Sequence, residues 1–108
     1  MKRAEILEAA KTCVCGEREQ NYGKPDKNFN TIASLWTSYM YGAGLMENDD
    51  PSVWKRIQPK DVAAMLALLK IARIASGHAK DDNWVDLAGY AACGGEIEMI
   101  DNQVHKEV

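Results

Sequence analysis

The sequence predicts an all-α domain, a four-helix bundle-like arrangement with the third helix at its centre. Turn-forming residues cluster at positions 23–25, 48–52 and 76–78 and divide the chain into four segments. Within these segments apolar residues recur with the helical period of 3.6, and no run shows the strict alternation of a half-buried strand. A length of 108 residues suits one domain, which we expect to span residues 1–108.

The first two helices are predicted from their apolar stripes and their ends. Helix one is expected over residues 2–21, with a stripe that continues into polar residues after position 14. Helix two is expected to start after an Asp26 N-cap that follows Pro25, and to end at Gly42 and Gly44. Its apolar face consists of Phe29, Ile32, Ala33, Trp36, Tyr39, Met40 and Ala43.

The last two helices follow a connection over residues 45–58, which is long for so small a domain and suggests a functional or partner-contacting segment. Helix three is expected to begin near Pro59, with Asp61 in its first turn and Gly77 as its C-cap. Helix four is expected to start with Asp81 or Asp82 as its cap, and to run to about residue 102. A weak point is expected at its paired glycines, positions 94 and 95.

Helix three carries the most informative pattern in the sequence. Residues 62–75 are apolar around almost the whole circumference, and only Lys70 and Arg73 interrupt them. On a helical projection Arg73 falls between Val62 and Leu66, on the bulkiest face. A buried unpaired charge is costly, so both cations are expected to have anionic partners, which are internal acids, a bound phosphate or both.

Two other helices also direct polar residues toward their apolar faces. The stripe of helix four begins with two acids four positions apart, and that of helix one ends in polar residues. We therefore expect one interior volume to hold Glu17, Arg18, Asn21, Lys70, Arg73, Asp82 and Asp86. Tyr22, Trp84 and Tyr90 adjoin this cluster and are candidates for stacking on a base.

This cluster has two interpretations. It is either a structural salt-bridge network, in which Lys70 and Arg73 pair with Asp86 and Glu17, or a cleft that binds an anion. In the cleft, arginine would donate two hydrogen bonds to phosphate oxygens and lysine would add a point charge. The acids would hold the cations in place or bind Mg²⁺ together with phosphate oxygens.

Composition limits the classes of partner. The net charge is −3 and no Lys/Arg run exceeds two residues, which argues against binding to duplex DNA. No segment is long and apolar enough to cross a bilayer, and the first residues do not form a signal peptide, so we expect a cytoplasmic protein. Three other helices are too few to cover helix three on all sides, which predicts a homodimer or higher homo-oligomer. The alternative is that the long connection over residues 45–58 folds over this helix.

Three blocks carry a family resemblance: REQNYGKPDKNFNTIASLW, PKDVAAMLALLKIARIASG and DDNWVDLAGYAACGGE. Together they resemble a small domain family of unknown function that is widespread in phage and prophage genomes. The pattern K-I-x-R followed by D-x-W-x-D-x-x-G-Y is also distantly similar to the all-α NTP pyrophosphohydrolases of the MazG type. Those enzymes hold Mg²⁺ at a triphosphate with an E-x-x-E pair on one helix and an acidic pair on the next.

The MazG resemblance transfers only in part to this chain. Asp82 and Asp86 match the second acidic pair, but the apolar face of helix two contains no acid. Glu17 and Asp61 would have to replace the missing pair from other helices, and Mg²⁺ would be the cofactor of such an enzyme. Catalysis of this type therefore lacks half of its ligands.

The favoured expectation is a phage-type accessory protein that binds a nucleotide or a nucleotide-derived small molecule, for example to sequester a host signalling nucleotide. The expected ligand-binding residues are Arg18, Tyr22, Lys70, Arg73, Trp84, Asp86 and Tyr90. The first alternative is a Mg²⁺-dependent nucleotide pyrophosphohydrolase with Glu17, Asp61, Asp82 and Asp86 as metal ligands. The second is a helical protein-interaction module whose salt bridges are purely structural.

Overall fold

Four helices contain most of the residues that the structure describes. The structure, a computed structural model, describes residues 1–16, 23–46, 50, 52, 55–77 and 80–106, with side chains up to residue 103. The helices are α1 (Arg3–Cys15), α2 (Pro25–Gly42), α3 (Pro59–Ala75) and α4 (Asp81–Lys106). No strand lies within these ranges, and the predicted all-α, bundle-like class is confirmed.

Proline sets the starts of α2 and α3. Pro25 follows an extended Lys24 that serves as the N-cap of α2, because the fixed φ of proline suits a first helical turn. The prediction that Asp26 caps α2 is wrong, since this residue lies in the first turn, where its charge favours the helix dipole. In α3 the side chains of Gln58 and Asp61 form a reciprocal capping box, in which the Gln58 N–H donates to Asp61 Oδ2 at 2.9 Å.

The other helix ends differ from the sequence predictions by several residues. α1 ends at Cys15, and the predicted continuation over residues 17–21 lies outside the described part of the chain. Asp81 and Asp82 lie in the first turn of α4 and do not precede it as caps. α4 continues through the predicted weak point at glycines 94 and 95 and ends at Lys106, a few residues beyond the predicted end near residue 102. Gly77 behaves as predicted, with a φ of +85° just after the last turn of α3.

The hydrophobic core lies where α2, α3 and α4 meet. Its fully buried members are Phe29, Ala33, Val62, Ala63, Cys93 and Ile97. Val14, Ile32, Trp36, Ile57, Leu66 and Tyr90 pack around them and are partly buried. The α3 members of this core all come from the first half of α3. Lys70 and Arg73 lie in the second half of the helix, beyond these core residues.

The fourth helix, and not the third, is the central element. α4 contacts α1, α2 and α3, whereas α1 packs against α4 alone among the described helices. The prediction of a central third helix is therefore wrong. The consequence is that α3 keeps one apolar side that no other described helix covers.

Residues 55–58 form an extended strap along α2. The N–H of Lys55 donates to the Tyr41 hydroxyl at 2.7 Å, and the N–H of Ile57 donates to Thr37 Oγ1 at 3.0 Å. Between them, Arg56 donates to Ser34 Oγ at 2.6 Å and to an asparagine of the preceding turn. This strap fixes the entry into α3 by hydrogen bonds to side chains of α2.

Candidate functional site

The predicted cation cluster lies along the seam between α3 and α4. Lys70 Nζ lies 2.9 Å from Asp86 Oδ2, and the exposed fractions of the two side chains are 17% and 38%. One turn further along α3, Arg73 Nε donates to Asn83 Oδ1 at 3.3 Å. Because α3 and α4 are antiparallel, the two cations meet successive turns at the start of α4. The pairing of Lys70 with Asp86, which the salt-bridge interpretation of the cluster predicted, is present.

The prediction that Arg73 is buried is wrong, because the residue is exposed. Its angular position on α3 matches that of Val62, which is fully buried, but it lies eleven residues later, about 16 Å along the axis. Helical periodicity gives the direction of a side chain and not its position along the bundle. The core ends before Arg73, and its described partner is a neutral amide and not a carboxylate.

Several predicted ligand residues fall outside the described ranges. Glu17, Arg18, Asn21 and Tyr22 all belong to residues 17–22, so the structure gives no position for them. The interior volume proposed from the sequence is therefore represented only by its α3 and α4 members. Of those, Lys70 and Asp86 form a pair, Arg73 is exposed, and Asp82 is exposed at the start of α4.

Of the carboxylates predicted as metal ligands, Glu17 lies outside the described residues, and Asp61 lies apart from Asp82 and Asp86. Asp61 is engaged in the capping box at the first turn of α3, whereas Asp82 and Asp86 lie at the start of the antiparallel α4. The Lys60–Glu98 contact shows that this end of α3 meets the last third of α4, about 24 Å along the axis from Asp82. Within the described residues, no three His, Cys, Asp or Glu side chains are grouped as a metal site requires.

A shallow apolar hollow lies on the other side of α4, against α1. It is lined by Arg3, Ile6, Leu7, Trp84, Leu87, Ala88 and Ala91, and its volume is about 400 Å³. Pockets for small organic ligands are typically about 300–1,000 Å³ in volume, with mostly apolar walls and few polar groups. Trp84, which the sequence analysis proposed as a stacking residue, belongs to this hollow and is 48% exposed.

Cationic groups border this hollow at the start of α1. Arg3 lines it directly, and Lys2 and Arg3 line an adjoining depression with Ala4. The N-terminal ammonium adds a further positive charge at this end of α1. It lies 3.3 Å from Asp81 Oδ2, whose negative charge offsets it. The hollow therefore combines an exposed indole, aliphatic walls and an arginine at its edge.

Tyr90 occupies a different position from Trp84. It is half-buried, packs against the core and lines a second hollow of about 220 Å³ between α3 and α4. That hollow has small residues along its floor, namely Ala63, Ala64, Ala67, Gly94 and Gly95, and it shares Ala91 with the hollow at Trp84. Trp84 and Tyr90 therefore line different hollows, and Arg73 lines neither of the two.

Arg3 is the candidate binding residue that sequence reasoning missed. The signal available was the pair Lys2–Arg3 one turn before the apolar Ile6 and Leu7. Its significance depends on the packing of α1 against the first turns of α4, which helical periodicity alone does not give. Gly89 permits this packing, because a Cβ there would lie only 3.0 Å from Val14 Cγ1.

Comparison with known proteins supports the phage assignment. The family model of DUF6378, described as a domain of unknown function, matches residues 5–98. This chain belongs to the DUF6378 family. Among curated proteins, the DUF6378 chain is 39% identical over 88 residues to the Gene 55 protein of Mycobacterium phage D29, covering 82% of the chain and 50% of that protein.

A second relative gives the same result. The DUF6378 chain is 34% identical over 98 residues to the Gene 55 protein of Mycobacterium phage L5, covering 91% of the chain and 55% of that protein. The chain thus spans about half the length of the curated relatives it matches. No solved structure matches it. The resemblance to a phage domain family is confirmed, and the weaker resemblance to MazG-type enzymes stays a prediction.

None of the described helices is long and apolar enough to cross a membrane.

Proposed function

We propose that this DUF6378 chain is a phage accessory domain that binds a nucleotide-like small molecule in the hollow at Trp84, in the cytoplasm of the host cell. The observation that carries the proposal is the half-exposed indole of Trp84 in an apolar hollow that Arg3 borders. The proposal keeps the ligand class expected from the sequence. It moves the binding site from the α3–α4 seam to the α1–α4 surface.

The chemistry of the hollow suits a flat aromatic group joined to an anion. The indole of Trp84 offers a face on which a base stacks, and base–aromatic stacking contributes about 1–3 kcal/mol per base. Ile6, Leu7 and Leu87 supply aliphatic contacts to the edges of such a ring. The Arg3 guanidinium donates paired hydrogen bonds of the kind that phosphate oxygens accept.

The α3–α4 seam is less suited to this ligand. The charge of Lys70 is already offset by Asp86 at 2.9 Å, so a phosphate would have to compete with that carboxylate. Arg73 is exposed beside a neutral amide, and it lines neither the hollow at Trp84 nor the hollow at Tyr90. We therefore assign the first role in ligand binding to Trp84 and Arg3.

Isothermal titration against nucleoside monophosphates, triphosphates and cyclic nucleotides tests this function. We expect at least one nucleotide to bind, with the Trp84 indole N–H resonance shifting as it does so. Trp84→Ala and Arg3→Ala should each raise the Kd about tenfold or more, which corresponds to about 1.4 kcal/mol. Tyr39→Ala, which removes an exposed aromatic residue on α2, and Arg73→Ala should leave the Kd unchanged.

Three outcomes would contradict the proposal. The first is the absence of heat for every nucleotide with a folded protein. The second is loss of binding in Arg73→Ala with retention in Arg3→Ala, which would return the site to the seam. The third is tighter binding of a long-chain fatty acid than of any nucleotide, which would identify the hollow as a site for amphipathic anions.

A further inference from the structure

The described part of α3 leaves an apolar stripe uncovered. Met65, Leu68, Leu69 and Ala72 follow one another at helical spacing and fall within an arc of about 100°. The three larger side chains are between 42% and 61% exposed, and Ile71 beside them is 47% exposed. No charged residue interrupts this stripe, which lies on a different face from the hollow at Trp84.

The chain exposes more surface than a compact monomer of its mass. The accessible surface is 7857 Å², whereas a compact monomer of 12.0 kDa has about 6,000 Å². The radius of gyration is 15.9 Å, compared with about 13 Å for a compact domain of this length. The excess of about 1,900 Å² exceeds the roughly 800 Å² that each partner buries in a standard stable interface.

We infer that a second copy of this chain covers the stripe, with the two α3 helices packed antiparallel about a two-fold axis between Leu68 and Leu69. A two-fold contact presents the same patch on both copies, and an uncharged stripe is complementary to itself. In this register Met65 of one copy faces Ala72 of the other. Large side chains then alternate with small ones across the axis, as close packing requires.

Charges at the two ends of α3 support the antiparallel direction. Asp61 lies in the first turn of α3 and Arg73 in the last. About the proposed axis, Arg73 of one copy comes within about one helical turn, 5.4 Å, of the level of Asp61 in the other. The antiparallel helix dipoles also attract each other.

Sedimentation and light scattering of the full chain test this inference. At micromolar concentration the wild-type chain should have twice the 12.0 kDa mass of one copy. Leu68→Glu should raise the dimer Kd at least about tenfold, because it places two like charges beside the axis. The matched control is Leu35→Glu on α2, since Leu35 is 65% exposed and Leu68 is 61% exposed; this variant should remain dimeric.

Cysteine cross-linking keeps the inference testable if Leu68→Glu does not fold. In a background with Cys13 and Cys15 changed to serine, Leu68→Cys should form an intersubunit disulfide on mild oxidation, and Leu35→Cys should not. A wild-type chain that stays monomeric at about 100 μM overturns the inference, since standard stable dimers form well below that concentration. So does a dimer that Leu35→Glu dissociates and Leu68→Glu does not. Nucleotide binding at Trp84 is measured in a separate titration, so the binding proposal and the dimer proposal can each fail without the other.

Discussion

Lys70 and Asp86 form the closest ion pair of the described residues, with 2.9 Å between Nζ and Oδ2. Their ion pair is one of several contacts that cross the antiparallel α3–α4 seam at regular intervals. Lys60 meets Glu98 at one end, Ala63 approaches Gly94 in the middle, and Arg73 meets Asn83 at the other end. The residue numbers of each pair add to nearly the same value, as expected for two straight antiparallel helices. The Lys70–Asp86 pair therefore helps to set the register of the seam.

Breaking this pair from one side should destabilise the protein. Asp86→Ala leaves the Lys70 ammonium, which is only 17% exposed, without its partner, and we expect a loss of about 1–3 kcal/mol in the free energy of unfolding. Lys70→Met should cost less, because Asp86 is more exposed. Urea denaturation of both single variants and the double variant should give a coupling energy of about 0.5–2 kcal/mol.

The exposed pair at the other end of the seam is the matched control. Lys60 Nζ and Glu98 Oε1 are 3.9 Å apart, and both side chains are at least half exposed. Solvent screens such a pair, so its coupling energy should be below about 0.5 kcal/mol. Equal coupling energies for the two pairs would show that Lys70 and Asp86 are as well solvated as a surface pair.

Thr37 should be important for the strap of residues 55–58. Its hydroxyl is buried, donates to the Ala33 carbonyl at 2.7 Å and accepts the Ile57 N–H at 3.0 Å. Thr37→Val keeps the shape but leaves that N–H without its acceptor, which should cost about 1–3 kcal/mol. Hydrogen exchange of the Ile57 amide should accelerate in the variant.

Thr31→Val provides the comparison, because the Thr31 hydroxyl is exposed and bonds only to the Lys27 carbonyl of its own helix. That variant should change the stability by less than about 0.5 kcal/mol and leave Ile57 exchange unaltered. If both valine variants behave alike, the strap does not depend on Thr37.

Local signals in the sequence predicted the helices well. Pro25 and Pro59 start α2 and α3 because proline suits the first helical position, and Gly77 follows α3 because its positive φ suits glycine. The apolar face of α2 correctly identified Phe29 and Ala33 as core. These properties depend on a few neighbouring residues, so they can be read from the chain itself.

The position of the candidate site depended on packing and could not be predicted in the same way. Arg73 shares the direction of Val62, but the core does not reach it, since the length of the core is set by how far α2 and α4 overlap α3. The arrangement of Arg3 and Trp84 results from the packing of α1 on α4, between residues about eighty positions apart. Spacing along one helix carries no information about either relationship.

The hydrogen bonds of the Asp50 carboxylate predict how the stability of the folded state depends on pH. Its Oδ1 accepts the Ser52 N–H at 3.0 Å and the Ser52 hydroxyl at 2.8 Å, and these bonds hold the pKa of Asp50 below its ordinary value of 3.8. A lowered pKa stabilises the folded state above that ordinary value, and the contribution is lost as the pH falls through the folded pKa. Ser52→Ala should raise the Asp50 pKa in a carboxyl ¹³C titration, while Ser76→Ala should not. A constant Asp50 pKa would mean that the hydroxyl bond does not persist in solution.

Glycines of α4 should respond in opposite directions to substitution by alanine. A Cβ at Gly89 would lie 3.0 Å from Val14 Cγ1, so Gly89→Ala should push α1 away and cost about 1–2 kcal/mol despite the better helix propensity. At Gly95 no heavy atom lies within 4 Å of such a Cβ, so Gly95→Ala should stabilise the protein by up to about 1 kcal/mol. Thermal and urea unfolding of both variants measure the difference. Because α1 also forms one wall of the hollow at Trp84, Gly89→Ala should weaken nucleotide binding, and Gly95→Ala should not. Stabilisation by both alanines would mean that α1 does not pack closely against Gly89.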